Sequence, residues 1–213
     1  PSPNHDSRSD QPIDMLVLHY TGMPTGQEAI ARLRDSESKV SSHYLIDEDG
    51  SIHQLVPESE RAWHAGVSYW RGHTNINQRS IGIEIVNPGH EFGYRRFPDI
   101  QMEAVCALSR EIQRRHDIPA RNIVGHSDVA PQRKEDPGEL FNWSWLAAQG
   151  VGLFPQAPAA YTAGVENLAL YGYDISKARF AITAFQRHYR PTLLSGEWDE
   201  ECASLLAALL QMV

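Results

Sequence analysis

The stretch from Gly125 to Gly138 brings His126, Lys134 and Asp136 close together, with Pro131 and Pro137 stiffening the backbone between them. It follows the short apolar run Ile123-Val124 and reads as a loop leaving a strand end. Imidazole and carboxylate are both ligands that zinc accepts. A catalytic zinc usually takes three protein ligands and keeps a further position for water. Two groups leave that set one short, and His19 is the best candidate third. It closes the apolar run Met15-Leu16-Val17-Leu18, and active-site groups commonly project where strands end. These residues point to one zinc per chain, held by His19, His126 and Asp136.

Glu84 is the next informative residue. In Ser80 to Asn87 the alternation puts Ile81, Ile83 and Ile85 on one face, and Gly82, Glu84 and Val86 on the other. A lone carboxylate in so apolar a strand is costly unless it is partnered or useful. Zinc lowers the pKa of bound water toward ~7. Glu84, not counted among the ligands, could take the water's proton and pass it to a leaving amine. Lys134 could stabilise the oxyanion of a tetrahedral intermediate. Each residue also has a plainer reading. Glu84 could pair with a buried arginine, Lys134 and Glu135 could be solvated loop charges, and Asp136 could cap a helix opening at Pro137. Singly these readings compete; together they require several unrelated coincidences. His5, His53, His116 and His188 carry no comparable signal.

The elements that position these groups follow from periodicity. Asp14 to Tyr20 reads as a buried strand and Gly26 to Asp35 as a helix. Ser42 to Ile46 and Ser51 to Val56 flank a glycine-bearing turn and read as a β-hairpin. Asp99 to His116 is the longest helix, with Asp99 as its N-cap and Ile100, Val105, Leu108 and Ile112 as its apolar face. Strands interspersed with helices predict an α/β fold, a mixed β-sheet flanked by helices. Residues 1–11 are polar and read as a disordered tail. Residues 12–150 form the expected catalytic domain. Residues 151–160, rich in Gly, Pro and Ala, read as a linker. Residues 161–213 hold three helical patterns and read as a small three-helix domain, marginal but feasible as an independent module.

The 213 residues include 41% hydrophobic and 22% charged types, ordinary for a globular chain. A net charge of -8 argues against a nucleic-acid partner. No apolar run approaches the roughly 20 residues that a membrane span requires. Cys106 and Cys202, far apart and without a CxxC, read as buried free thiols. No signal peptide is visible. The chain does not begin with methionine, which leaves room for an upstream signal or lipid anchor.

Five segments together resemble a known family: Val17 to Thr21, Ser42 to Ile46, Ala62 to Gly66, Ser80 to Glu84, and Gly125 to Gly138. They occur in the order found in the zinc-dependent N-acetylmuramoyl-L-alanine amidases of the type 2 (AmpD- and AmiD-like) family, over about residues 12–150. The resemblance implies metal ligands at His19, His126 and Asp136, a catalytic glutamate at Glu84 and a catalytic lysine at Lys134. It implies hydrolysis of the amide joining N-acetylmuramic acid, in ordinary or 1,6-anhydro form, to L-alanine of the peptidoglycan stem peptide. Tyr44, Trp63 and His64 are expected to line the substrate groove.

Residues 170–173, 181–188 and 196–199 resemble a three-helix peptidoglycan-binding domain. That combination implies the envelope-facing branch of the family, a periplasmic setting, peptidoglycan or muropeptides as partners, and a monomer. The competing function is a non-catalytic peptidoglycan-recognition module on the same fold, and the complete ligand set speaks against it. A zinc peptidase of the HExxH type lacks its motif here.

Overall fold

The computed structural model describes residues 1–8 and 11–213, organised around a mixed sheet flanked by helices. Along the chain run β1 (His5–Ser7), β2 (Met15–Tyr20), α1 (Gly26–Arg34), β3 (Tyr44–Ile46), β4 (Ile52–Gln54) and β5 (Glu60–Ala62). Next come α2 (Ile76–Arg79), β6 (Ser80–Ile85), α3 (Gly89–Phe92), α4 (Asp99–His116), β7 (Ile123–Gly125), α5 (His126–Val129) and α6 (Trp143–Ala148). The C-terminal segment carries α7 (Leu168–Tyr171), α8 (Ala178–Tyr189) and α9 (Glu200–Gln211).

The main sheet has the order β4-β3-β6-β2-β7. Its four inner pairings follow sequence logic. β3 and β4 form the expected antiparallel hairpin, while β3, β6, β2 and β7 run parallel. β2 and β6, flanked by strands on both sides, are apolar almost throughout, as strands covered on both faces must be. Alternation sorts their side chains. Leu16, Leu18, Ile81, Ile83 and Ile85 pack with Met102, Val105, Cys106 and Ile112 of α4. Met15 and Val17 pack on the opposite side with Phe185, Leu206 and Leu209 of the C-terminal helices. His19 and Glu84 continue that second face and are register partners on adjacent strands.

Several expectations change. No side chain caps α4; Pro98 precedes it, and Asp99 is its first residue rather than its N-cap. Ile100 is 56% exposed and leaves the apolar face to its neighbours. The N-terminal tail is ordered over residues 1–8. β1 pairs with β5, Ser2 Oγ donates to the Leu33 carbonyl at 2.5 Å, and Asn4 Nδ2 reaches the carbonyls of Asp35 and Val40, each at 2.8 Å. Polar composition suggested disorder, but those polar groups bind backbone instead of water. Residues 9 and 10 of the expected tail lie outside the described residues.

The C-terminal helices do not enclose a core of their own. Leu168, Tyr171, Phe185 and Leu206 belong to one cluster with Met15, Val17, Trp70 and Val129. The segment 151–160 is seated rather than free, since Val151 is fully buried and Phe154 packs against both clusters. Cys106 and Cys202 are buried free thiols.

Candidate metal centre and active-site cleft

Three parallel strands end side by side and deliver the chemistry. β6 brings Glu84 beside His19 of β2, and β7, paired with β2 through Leu18 and Gly125, delivers His126 one residue beyond its end. Open parallel sheets place their sites at this carboxyl edge. The loop after α5 then folds back. Ser127 N–H donates to the Asp136 carbonyl at 2.9 Å, which returns Asp136 to the same point.

The three expected ligands converge. His19 Nδ1 lies 2.9 Å from His126 Nδ1 and 3.1 Å from Asp136 Oδ2, and His126 Nδ1 lies 3.0 Å from the same carboxylate oxygen. All three residues are buried. Their outward atoms are already assigned. His126 Nε2 lies 3.1 Å from the Ala65 carbonyl, which can only accept, so this nitrogen carries the proton and Nδ1 presents a lone pair. Ser80 Oγ donates to the Ile76 carbonyl at 2.7 Å, so His64 Nε2 donates to Ser80 Oγ at 3.1 Å. His64 Nδ1 then accepts from His19 Nε2 at 3.0 Å, and His19 Nδ1 is left as a second lone pair. Two nitrogen lone pairs and a carboxylate oxygen about 3 Å apart repel one another unless a cation joins them. Tetrahedral zinc with bonds of about 2.0–2.2 Å spaces its ligands by a little over 3 Å, so this donor set fits zinc.

Electrostatics agree. Burial and the nearby His126 lower His19 to about 4, which keeps its ring neutral, as a ligand must be. Burial opposes ionisation of Asp136, and its carboxyl lies well below the usual carboxylate range only through hydrogen bonds and positive charge from His126 and His19 in protonated form. With both rings neutral, a cation is needed in that place. Glu84 behaves oppositely. Burial and the charge of Asp136 push it well above the ordinary glutamate value, and one of its carboxylate oxygens has no hydrogen-bond partner. A carboxyl so tuned suits proton transfer.

A cleft of about 610 Å³ opens over these groups, lined by Glu84, Lys134, Asp136, His126 and Trp63, with Tyr20 and His90 toward one end. Of the expected groove residues, Trp63 faces this cleft. His64 reaches its floor, but both ring nitrogens are engaged by His19 and Ser80, so its geometry serves His19 rather than a substrate. Tyr44 lies elsewhere. It is the register partner of Ile83, on the α4 face of the sheet, and its hydroxyl donates to Glu58 Oε1 at 2.7 Å. Strand parity, one residue away from the Leu45-Glu84 pair, removes Tyr44 from the site.

Sequence reading missed Ser80 and Arg133. Arg133 Nη2 donates to the carbonyls of Ala65 at 2.6 Å and Val67 at 2.7 Å, tying the ligand loop to the Trp63 loop. Nothing local distinguishes it from a surface arginine. Ser80 had a signal in Gly82, two residues along the same face. A Cβ at Gly82 would fall 2.5 Å from His64 Cγ, so the glycine marks the ring lying across it.

Comparison with known proteins gives consistent results. A family described as N-acetylmuramoyl-L-alanine amidase matches residues 9–139. N-acetylmuramoyl-L-alanine amidase AmiD of Escherichia coli is 42% identical over 93% of this chain and 83% of its own length. The 1,6-anhydro-N-acetylmuramyl-L-alanine amidase AmpD of Enterobacter cloacae is 36% identical over 68% of this chain and 84% of its own. Among solved structures, E. coli AmiD in complex with the substrate anhydro-N-acetylmuramic acid-L-Ala-D-gamma-Glu-L-Lys is 38% identical and superposes with a TM-score of 0.83, covering 100% of this chain and 91% of that one. AmpDh3 of Pseudomonas aeruginosa in complex with anhydromuramic pentapeptide is 31% identical with a TM-score of 0.84, covering 100% and 97%.

Proposed function

The chain belongs to the type 2 N-acetylmuramoyl-L-alanine amidase family and is an amidase of that kind, and on this premise we propose that it is a one-zinc hydrolase of muropeptides. The bond cut is the amide between the lactyl group of N-acetylmuramic acid and L-alanine. The observation that carries the proposal is the triangle of His19 Nδ1, His126 Nδ1 and Asp136 Oδ2, all within 3.1 Å of one another.

When bound, zinc supplies a Lewis acid that acidifies water and polarises a carbonyl. The protein's own groups do the rest. Glu84, raised by burial and poised beside His19, takes the proton of the attacking water and returns it to the departing L-alanine amine. Lys134, on the cleft wall near Asp136, neutralises the oxyanion that develops on the lactyl carbonyl. Trp63 offers an apolar face suited to a sugar ring. The anhydro-muramyl ligands in the AmiD and AmpDh3 complexes support the 1,6-anhydro form as a substrate.

We place the enzyme in the bacterial envelope, periplasmic and monomeric, in cell-wall turnover or recycling. No helix among the described residues is long and apolar enough to cross a membrane. Residues 161–213 are proposed to contact wall through exposed apolar side chains, among them Leu170 and Phe180.

Incubation with an anhydro-muramyl tetrapeptide, followed by mass spectrometry, tests the reading. Release of an intact L-alanine-headed peptide, abolished by a zinc chelator, is expected. Cleavage at any other bond, or none with zinc bound, contradicts it.

A further inference from the structure

Asp128 is 1% exposed, two residues beyond His126, and its side-chain partners come from its own turn and from the C-terminal segment. Its Oδ2 accepts the Gly125 backbone N–H at 2.7 Å, closing the turn on which His126 sits. The same oxygen accepts His188 Nδ1–H at 2.8 Å, and Oδ1 accepts the Tyr173 hydroxyl at 2.7 Å. Both donors belong to the C-terminal segment.

Neither donor is loosely placed. The His188 ring stacks on Trp143 at 3.8 Å and 19°, and on Tyr189 at 4.0 Å and 9°. Tyr173 is 1% exposed and meets Trp70 edge-on at 5.1 Å. The Gly125 backbone has no slack either, since a Cβ there would lie 2.8 Å from Pro137 Cδ, beside Asp136. A buried carboxylate deprived of donors must find others or move, and the turn bearing His126 would move with it.

We propose that the C-terminal segment is a built-in part of the metal centre: Tyr173 and His188 hold Asp128, and Asp128 holds the turn that aims His126. Tyr173 and His188 are thus positioning residues acting at one remove from the metal, and residues 161–213 have a task in catalysis separate from any grip on wall. The proposal rests on the zinc reading of His19, His126 and Asp136.

The experiment is a zinc competition titration on the full chain against a chromophoric chelator. Wild type is measured first; absence of zinc binding there defeats the zinc reading itself. Tyr173→Phe keeps the buried ring and removes only the hydroxyl. His188→Ala removes the second donor, and His188→Asn restores an N–H near the position of Nδ1. Removing partners outside the ligand set weakens metal binding by roughly 10–100-fold. Tyr173→Phe is expected to weaken zinc binding several-fold, the double variant Tyr173→Phe/His188→Ala about tenfold or more, and His188→Asn to recover most of the single loss. Leu193→Ala, at a side chain 55% exposed beyond α8, serves as the control and keeps wild-type affinity. Wild-type zinc affinity in Tyr173→Phe, whose circular dichroism confirms the fold, overturns the proposal. A lowered melting temperature of the zinc-free chain without loss of zinc affinity overturns it too, because that result describes packing alone.

Discussion

His64 Nδ1 accepts a hydrogen bond from His19 Nε2 at 3.0 Å, and the ring making that bond lies across Gly82. The chain Ile76 carbonyl, Ser80 hydroxyl, His64 and His19 runs in one direction only, and it ends by turning the His19 Nδ1 lone pair toward His126 and Asp136. Outer partners of this sort fix tautomer and ring orientation of a ligand. Gly82→Ala should push His64 aside and lower zinc affinity by about 10–100-fold, with overpacking costing about 1–3 kcal/mol of stability. Chelator competition and thermal melting read the two effects separately. Unchanged affinity in a folded Gly82→Ala protein would mean that His64 does not orient His19.

Arg8 ties the N-terminal segment down. Its guanidinium donates to the carbonyls of Gln78 at 2.6 Å, Glu60 at 2.8 Å and Ser80 at 3.1 Å. Arg8→Ala removes these part-buried hydrogen bonds and should cost about 2–4 kcal/mol. Urea unfolding measures it; a change under 0.5 kcal/mol, roughly the range of an ordinary surface substitution, would show that the arm is dispensable.

Glu58 predicts the acid limit of stability. Burial opposes its ionisation, but Arg115, Tyr44 and His116 bonded to it bring it down to about 2. A depressed carboxylate stabilises the fold above its unfolded value, near 4.3, and loses that contribution as pH falls toward 2. Glu58→Gln should therefore be less stable than wild type at pH 7, by about 1–3 kcal/mol, with the difference closing between roughly pH 4.5 and 2. A difference constant across that window contradicts the assignment.

Removal of residues 156–213 tests how far the C-terminal segment is separable. It would bare Met15, Val17, Trp70, Val124 and Val129, all now at most 1% exposed. At about 1.5–3 kcal/mol for each large buried side chain, the loss rivals the stability of a whole domain. The truncated chain should be aggregation-prone and melt early. A soluble truncation with wild-type melting would restore the picture of an independent module.

Much of this was legible in the sequence, for identifiable reasons. Period-two alternation in Ser80–Ile85 put Glu84 opposite the isoleucines, and the apolar runs before His19 and His126 marked two strand ends that proved to be near neighbours. Tyr44 is expected in the groove on the resemblance alone, and strand alternation puts it, as the register partner of Ile83, on the α4 face instead. Long-range satisfaction was not legible. Nothing local to Arg8, Asp128 or His188 reveals partners more than thirty residues away. Nor does amphipathic spacing in α8 and α9 say whether their apolar faces meet each other or the sheet, and they meet both.

The most direct test of the account separates metal holding from proton transfer. Asp136→Ala and Glu84→Gln are purified alongside wild type, and zinc per chain and turnover of an anhydro-muramyl tetrapeptide are measured on each sample. Asp136→Ala should lose zinc and activity together. Glu84→Gln should keep one zinc and lose turnover by about 10²–10⁴-fold, the usual worth of a positioned proton-transfer group. Equal zinc loss in both variants, or near-normal turnover in Glu84→Gln, would contradict the assignment of Glu84 as the base beside a His19-His126-Asp136 zinc.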